Sequence, residues 1–362
     1  MNRRRFVLGA AGLAAAGAAG VAGWRAWTGS MGEYARYSAA LRETLAQRPE
    51  AVALLRYATL APNGHNTQPW RFRIGNGEIG IEPDLSRATP AVDPDDHHLY
   101  VSLGSALEVL HIAATATGWP GSVEDAETGA PRYLYAEGPA RPDDLFAAIP
   151  QRQSTRAPFD GRVASAADLT ALEAAARVPG VHLSLHTDRA RIGAVRDLVL
   201  AGNDRQMADP AFMAELKHWL RFSPAEAMAR GDGLFSACSG NPVLPEPLGG
   251  LAYDLFFKAE TERAKYARQL DSSAGVAVFT GAREDKAHWI AVGRASLRFA
   301  LALTARGMRC SYVNQPVEVA ALRPELAGIA GVAGQRPDLV MRFGYGPTLP
   351  FSPRRPVASV LV

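Results

Sequence analysis

The chain has 362 residues, with 39 Lys and Arg against 36 Asp and Glu and a formal charge of +3. Residues 1–30 carry Arg3, Arg4, Arg5 and Arg25 and no acid, so taking those four charges away leaves a body of −1. A body of that size without a strong field excludes nucleic acid or an anionic membrane as a charge-driven partner, and is long enough for two domains or one intertwined core.

The chain opens on Asn2-Arg3-Arg4-Arg5-Phe6-Val7-Leu8, a twin-arginine pattern. The Ala/Gly run from Val7 to Gly23 that follows is too short and too weakly apolar for a comfortable membrane span. Residues 1–30 are expected to be a twin-arginine signal peptide, with a retained anchor as the alternative. Ala14-Ala15-Ala16 and Ala16-Gly17-Ala18 are its cleavage candidates. The expected partner is the twin-arginine export machinery. The expected location is the periplasm, or the membrane with the body facing the periplasm.

An apolar helical segment (Ala51 to Leu60) and an alternating strand (Trp70 to Ile74) flank Ala61-Pro62-Asn63-Gly64-His65-Asn66-Thr67-Gln68-Pro69-Trp70. This is a loop leaving a helix, rich in backbone N–H groups and side-chain amides that suit a planar polar ligand. Asp93-Pro94-Asp95-Asp96-His97-His98 reads as a solvated turn and helix N-terminus, where acids favour the macrodipole. Its ligand types lack a recognisable metal spacing, so no metal is expected. Farther on, Arg152-Gln153-Ser154-Thr155-Arg156 sets two guanidinium groups around a hydroxyl, which suits a phosphate or an electron-rich carbonyl. Cys238 and Cys310 also lack metal-ligand spacing and are expected to be free thiols. No Gly-x-Ser-x-Gly elbow, phosphate-binding Gly-Lys-Ser loop or His-Glu-x-x-His is present.

The chain also contains a diverged internal repeat. Gly104 opens an apolar helix ending at Gly118, and Gly293 opens one of equal length ending at Gly307, each terminal Gly reading as a helix cap. Upstream, Leu55-x-x-Ala58-x-x-x-Pro62 has a counterpart in Leu172-x-x-Ala175-x-x-x-Pro179. The interval from Pro179 to Gly293 is much longer than that from Pro62 to Gly104, which places an insertion near 202–270. Its apolar helical patterns around a Gly/Pro/Ser-rich middle are expected to form a lid. The expected division is residues 31–150 for the first half and 151–362 for the second.

These two loops resemble the flavin mononucleotide (FMN) site of the nitroreductase superfamily. There, a Pro-Ser-Ser-x-Asn-x-Gln-Pro-Trp loop and an Arg-x-Ser-x-Arg loop hold one FMN between two subunits. The resemblance covers most of the chain after residue 48 and is to the fused, Acg-type branch. It implies an α+β nitroreductase fold, built here as a single-chain pseudo-dimer. It also implies FMN as cofactor, and one FMN per chain, because the Asn loop survives only in the first copy and the Arg loop only in the second. By resemblance, Pro62, Asn63, Gly64 and Asn66 lie beside the ring and ribityl chain, with Asn63 and Gly64 departing from the usual Ser-Ser. Gln68 and Trp70 hold the loop to the sheet. Arg152, Gln153, Ser154 and Arg156 reach the phosphate and pyrimidine edge, and Arg354 and Arg355 the phosphate. The segment containing Tyr312, Val313 and Asn314 passes over the flavin. Two functions follow from this resemblance. One is an oxidoreductase moving a hydride through flavin N5 to a nitroaromatic or quinone acceptor, its donor unknown, with NAD(P)H usable in vitro. The alternative is a flavin-sequestering protein with a closed lid.

Overall fold

The computed structural model describes residues 23–362 apart from residues 26 and 125. The twin-arginine motif and both cleavage candidates lie outside the described residues.

The first half begins with α1 (Met31–Ala40), started by a capping box in which Ser30 and Glu33 bond each other's backbone N–H. It continues with α2 (Ala51–Ala58), β1 (Trp70–Gly75), β2 (Glu78–Pro83), α3 (His97–Thr117), β3 (Gly121–Glu124) and β4 (Arg132–Tyr135). After the short α4 (Asp144–Ala148), the second half runs α5 (Ala166–Ala175) and β5 (Val181–His186). An inserted segment follows, made of α6 (Arg189–Met207), α7 (Pro210–His218), β6 (Leu220–Arg221), α8 (Pro224–Arg230), β7 (Leu234–Phe235), α9 (Glu246–Phe256) and α10 (Ala259–Asp271). The half closes with β8 (Gly275–Gly281), α11 (Lys286–Ala305), β9 (Arg309–Tyr312), α12 (Gln315–Glu318), α13 (Arg323–Ala330) and β10 (Leu339–Gly344).

Both halves carry the same antiparallel sheet. The first has strand order β1-β2-β4-β3 and the second β5-β8-β10-β9, each with its long helix between the second and third strand in sequence. The Leu55/Ala58 and Leu172/Ala175 matches fall at equivalent places, since Ala58 and Ala175 each end their helix. The fold is the α+β pseudo-dimer that the internal repeat implies.

The repeated glycines sit where the halves meet. A Cβ built on Gly104 would come 2.0 Å from the carbonyl oxygen of Ile290, and one on Gly293 would come 2.0 Å from that of Val101. Val101 and Gly104 are three residues apart in α3, as are Ile290 and Gly293 in α11, so each contact is the other with the halves exchanged. Glycine alone lets the two helix backbones cross this closely. By length and composition α3 is apolar enough to cross a membrane, but 89% of its most apolar window is buried here, as expected of a core helix.

The insertion is wider than the sequence suggests. β1 and β2 are joined by a tight turn, whereas the chain between β5 and β8 spans residues 187–274. Its first helix is core rather than cap. Ile192, Val195, Leu198 and Val199 of α6 pack with Val276 and Val278 of β8, while Ala277 and Phe279 face the α11 side. β8 and β10 are consequently buried along their whole length, whereas β1 alternates between buried and exposed positions.

Two chain crossings lock the halves together. The C-terminus returns to the first sheet, where Phe72 N donates to Val360 O at 2.7 Å and Val362 N to Phe72 O at 3.0 Å. The segment after α4 adds to the edge of the second sheet, with Thr155 N donating to Cys310 O at 2.8 Å.

Gly104→Ala and Gly293→Ala should each destabilise the protein by roughly 1–3 kcal/mol or more, the range for overpacking a rigid core, because the obstructing atoms are backbone. Urea unfolding followed by circular dichroism measures this. A loss no larger than that of Gly193→Ala, where an added Cβ meets open space in a helix, would show that the crossing tolerates separation.

Candidate functional site

A cavity of about 290 Å³ opens between the loop after α2, the 152–156 segment, the end of β9, the C-terminal segment and the insertion. Of the residues expected at the site, the structure brings Pro62, Asn63, Gly64, Asn66, Arg152, Gln153, Ser154, Arg156, Tyr312, Asn314 and Arg354 to its wall. Val313 and Arg355 are not among them. Val313 is buried in the core against α6 and β10, because it follows Tyr312 on an extended segment and turns to the opposite face. The Arg355 guanidinium is turned away, donating to Ser359 O at 2.7 Å and lying 3.9 Å from Asp84 Oδ2.

The 61–69 loop is held in a conformation it would not choose alone. His65, Asn66 and Gln68 all have positive φ, at 46°, 54° and 53°. Non-glycine residues in this region cost about 1–3 kcal/mol each unless their surroundings fix them. Here Asn63 Oδ1 accepts from Gln68 N at 2.8 Å. Asn66 Nδ2 donates to Gly233 O at 3.0 Å and Pro353 O at 3.1 Å. Gln68 Nε2 donates to Gly231 O at 2.8 Å, and its Oε1 accepts from Arg355 N at 2.9 Å. The insertion and the C-terminal segment therefore clamp the loop from two sides. Gln68 and fully buried Trp70 are anchors, as the resemblance implies.

Arg354 has a different task from the phosphate contact expected of it. Its guanidinium donates to the carbonyls of Thr59, Leu60 (3.1 Å) and Ala61 (3.3 Å), which leave the end of α2. It also donates to Asn66 Oδ1 (2.9 Å) and Pro353 O (2.8 Å). All of its N–H donors are taken, and the cation sits where a helix C-terminus favours one. Burial, with Arg42 and Arg152 nearby, pulls its pKa down to about 9.

Arg152 and Arg156 keep donors free. Arg152 donates to Leu60 O at 3.1 Å and approaches Ser154 Oγ at 3.5 Å, and Arg156 reaches only Ser239 Oγ at 3.4 Å. A third guanidinium, Arg42, lines the same cavity, bonded to Ser38 O at 2.9 Å and stacked 4.0 Å over the Phe351 ring. Sequence reading missed it, since nothing distinguishes it from a surface arginine at a helix end. Among the described residues, none of Arg42, Arg152, Arg156 and Arg354 has a carboxylate partner. Buried Arg342, also unforeseen, braces the 152–157 segment by donating to Thr155 O (3.0 Å), Ala157 O (2.9 Å) and Gln269 O of α10 (3.2 Å).

Other polar groups face the cavity with no partner, or an incomplete set, among the described residues. The Tyr312 hydroxyl and Gln315 Oε1 are buried and unbonded, and burial pushes the Tyr312 phenol upward. Asn314 is half committed, its Oδ1 accepting from Val340 N at 2.9 Å. The insertion supplies apolar Phe212, Leu216, Leu220, Leu234 and Phe257, together with Tyr266 and Gln269 of α10.

The equivalent place across the pseudo-twofold is filled. Ser105, next to Gly104, lines the cavity, while its counterpart next to Gly293 is Arg294. Arg294 Nε lies 2.6 Å from Glu108 Oε2 and Arg298 Nη1 lies 2.8 Å from Oε1, the Glu108 side chain being fully buried. Burial alone would raise the Glu108 pKa, but hydrogen bonds and charge from His111 and Arg294 hold it at about 2.

The acidic turn before α3 departs in part from expectation, since Pro94 and Asp95 are exposed but the possible ligands are not. Asp93, His97 and His98 are buried, not solvated, and a ligand atom from each lies within 4.8 Å of the others. The helix-start reading holds, with Asp93 accepting from His98 N at 3.0 Å and Leu99 N at 2.9 Å.

No protein-family model matches the chain. A Mycobacterium tuberculosis protein that carries the provisional name NAD(P)H nitroreductase Rv3131 is 27% identical over 326 residues, covering 85% of this chain and 90% of that protein. A second protein of that organism, provisionally named NAD(P)H nitroreductase acg, is 23% identical over 339 residues, covering 88% and 97%. Among solved structures, a nitroreductase with bound FMN from Desulfitobacterium hafniense is 12% identical with a TM-score of 0.36, covering 59% of this chain and 94% of that one.

His65 gives the site a pH signature. Burial, then Arg156 and His98, lower its pKa to about 4 from the model-compound 6.5. The unfolded chain then binds more protons between those values, so this contribution to stability is full above pH 6.5 and is lost as pH falls toward 4. His65→Gln should flatten the decline of the urea midpoint across that window. An unchanged slope would mean that His65 keeps its ordinary pKa in the folded protein.

Proposed function

We propose that this chain, a member of the nitroreductase superfamily, binds one FMN in this cavity and acts as a two-electron oxidoreductase. The observation that carries the reading is the set of guanidiniums facing the cavity with no carboxylate to neutralise them, an arrangement that suits a bound phosphate. The filled pseudo-equivalent place supports a single flavin per chain.

FMN, when bound, supplies hydride exchange between a donor and an acceptor. The chain's residues bind, orient and shield it. Arg152 and Arg156, with Arg42 behind them, would hold the phosphate. The loop from Pro62 to Asn66, fixed in place before any ligand arrives, would lie along the ring, and the unbonded Tyr312 hydroxyl is available as a hydrogen-bond donor. Cationic groups beside a flavin favour its reduced anionic form. The apolar side chains of the insertion would exclude water, and the segment would act as a lid. We take NAD(P)H as the donor, by analogy with the names of the relatives, and a nitroaromatic or quinone as the acceptor. We also propose that the chain is exported by the twin-arginine route to the periplasm, on the strength of its first residues.

The coverage of the cavity by the insertion favours a second reading, in which the flavin is held with little turnover. Anaerobic mixing with NADPH separates the two: rapid bleaching of the flavin absorbance supports the oxidoreductase, and a spectrum that stays oxidised supports sequestration.

The purified protein should release one FMN per chain on acid treatment, as measured by chromatography. Two per chain, or flavin adenine dinucleotide, would overturn the single-site reading. Arg152→Ala and Arg156→Ala should each weaken FMN by about ten- to a hundredfold, since hydrogen bonds to charged groups contribute about 1.5–3 kcal/mol each. Full occupancy of the double variant in dilute protein would show that neither arginine holds the phosphate.

A further inference from the structure

We propose that Asp93, His97 and His98 bind one divalent first-row transition-metal ion at the wall of the cavity. Asp93 comes from the turn before α3 and the two histidines from its first turn, and all three side chains are buried. Their ligand atoms lie within 4.8 Å of one another. Metal–nitrogen and metal–oxygen bonds of about 2.0–2.2 Å need ligand atoms roughly 3–3.5 Å apart, so small side-chain rotations close the site.

The geometry around each ligand is that of a supported site. The Asp93 carboxylate is oriented by two N–H groups of the helix start, and each oxygen retains a lone pair. His97 Nε2 lies 2.9 Å from Asp338 Oδ1. The Asp338 carboxylate lies beside this ring nitrogen without hydrogen-bond geometry. Among the described residues, both His97 ring nitrogens and His98 Nε2 are buried with no hydrogen-bond partner. A buried nitrogen without a hydrogen-bond partner is unfavourable, and a bound cation would remove the deficit. Asp338 is itself steadied by Gly281 N, which donates to its Oδ2 at 2.5 Å.

The surrounding charge is mixed, with Arg336 and Arg323 on the His97 side and Asp95, Glu318 and Glu215 supplying negative charge. The nearest guanidinium, Arg336, is paired with the carboxylate of Asp95. Glu318 is an electrostatic neighbour of His98, and Glu215 accepts from Ala91 N and Val92 N just before Asp93. Two imidazoles and one carboxylate suit Zn²⁺ or Fe²⁺ rather than Mg²⁺ or Ca²⁺, which take oxygen ligands. Three protein ligands leave room for a water or another oxygen donor. His98 lines the cavity together with Thr89 and Glu318, so such a ligand can come from there.

The test uses the full chain as purified, stripped with a chelator and then dialysed against Zn²⁺, with metal and flavin contents read separately on the same sample. One zinc per chain is expected. Co²⁺ in its place should give visible ligand-field absorption. Asp93→Asn, which keeps an acceptor for the helix N–H groups, and His98→Gln should each bind zinc at least ten times more weakly. Circular dichroism confirms that both fold, and His182→Gln, at an exposed strand position, should bind as the parent does. Failure of the parent to take up stoichiometric zinc would overturn the proposal, as would equal affinity in Asp93→Asn and His98→Gln. Loss of binding in His182→Gln alone would assign the metal to a surface histidine and overturn it as well.

Discussion

Helices α3 and α11 cross with their backbones in close contact, the missing side chain of Gly104 being replaced by the Ile290 carbonyl and that of Gly293 by the Val101 carbonyl. Two helices at this separation cannot slide or rotate independently, since any side chain larger than hydrogen at either glycine would meet backbone. The crossing fixes the position of each half's sheet relative to the other. It also places α3's Ser102 and Ser105 and α11's Ser296 on one cavity wall. The C-terminal return to β1 and the 152–156 addition at β9 then close the structure around this contact. Neither segment could reach its partner strand if the halves were splayed.

A symmetric crossing creates two equivalent places for a cavity, and the sequence has resolved them in opposite ways. On one side, small hydroxyl residues and a strained loop leave space lined by cations. On the other, Arg294 stands where Ser105 stands opposite and meets Glu108, which Arg298 also reaches. A buried carboxylate costs several kcal/mol to desolvate and is retained only when well bonded. Glu108 meets that condition, with two guanidiniums and His111 around it. The cluster acts as a plug, and its presence explains why duplicated architecture does not require duplicated chemistry. The long insertion is asymmetric for a related reason, since it covers the outer face of the second sheet before it reaches over the cavity.

Much of this was legible before any coordinates. The paired glycines, the Leu/Ala matches and the two polar loops gave the pseudo-dimer and most of the cavity wall, because each depends on local chemistry that residue types display directly. What escaped depends on direction or partnership. Val313 and Tyr312 are adjacent in sequence but face opposite ways on an extended segment. Arg354 and Arg355 look interchangeable, yet one closes the end of α2 and the other turns toward Asp84 and Ser359. Arg42 and Arg342 look like any surface arginine until the fold half-buries the first and buries the second. The Asp93–His98 run reads as solvated because its composition is polar, and Pro94 and Asp95 are indeed exposed, but tertiary contacts such as Trp289 of α11 and Asp338 against His97 bury Asp93, His97 and His98.

The arrangement of arginines also bears on how the fold could accommodate the proposed phosphate. Like charges brought together and desolvated repel, and the depressed pKa of Arg354 and of Arg42, which burial lowers to about 10, expresses that cost. The cost is bearable because the cations are not equally exposed to it. Arg354 spreads its charge over five acceptors, and Arg342 over three carbonyls, so these two serve as struts whose positive field nonetheless reaches the cavity. Arg152 and Arg156 are left with donors unspent and the strained 61–69 loop beside them. An anion entering there gains the free donors and relieves the mutual repulsion of the whole set, while the loop and both struts need not move. Binding strength in such a site comes from charge assembled during folding, and the ligand pays little for reorganisation.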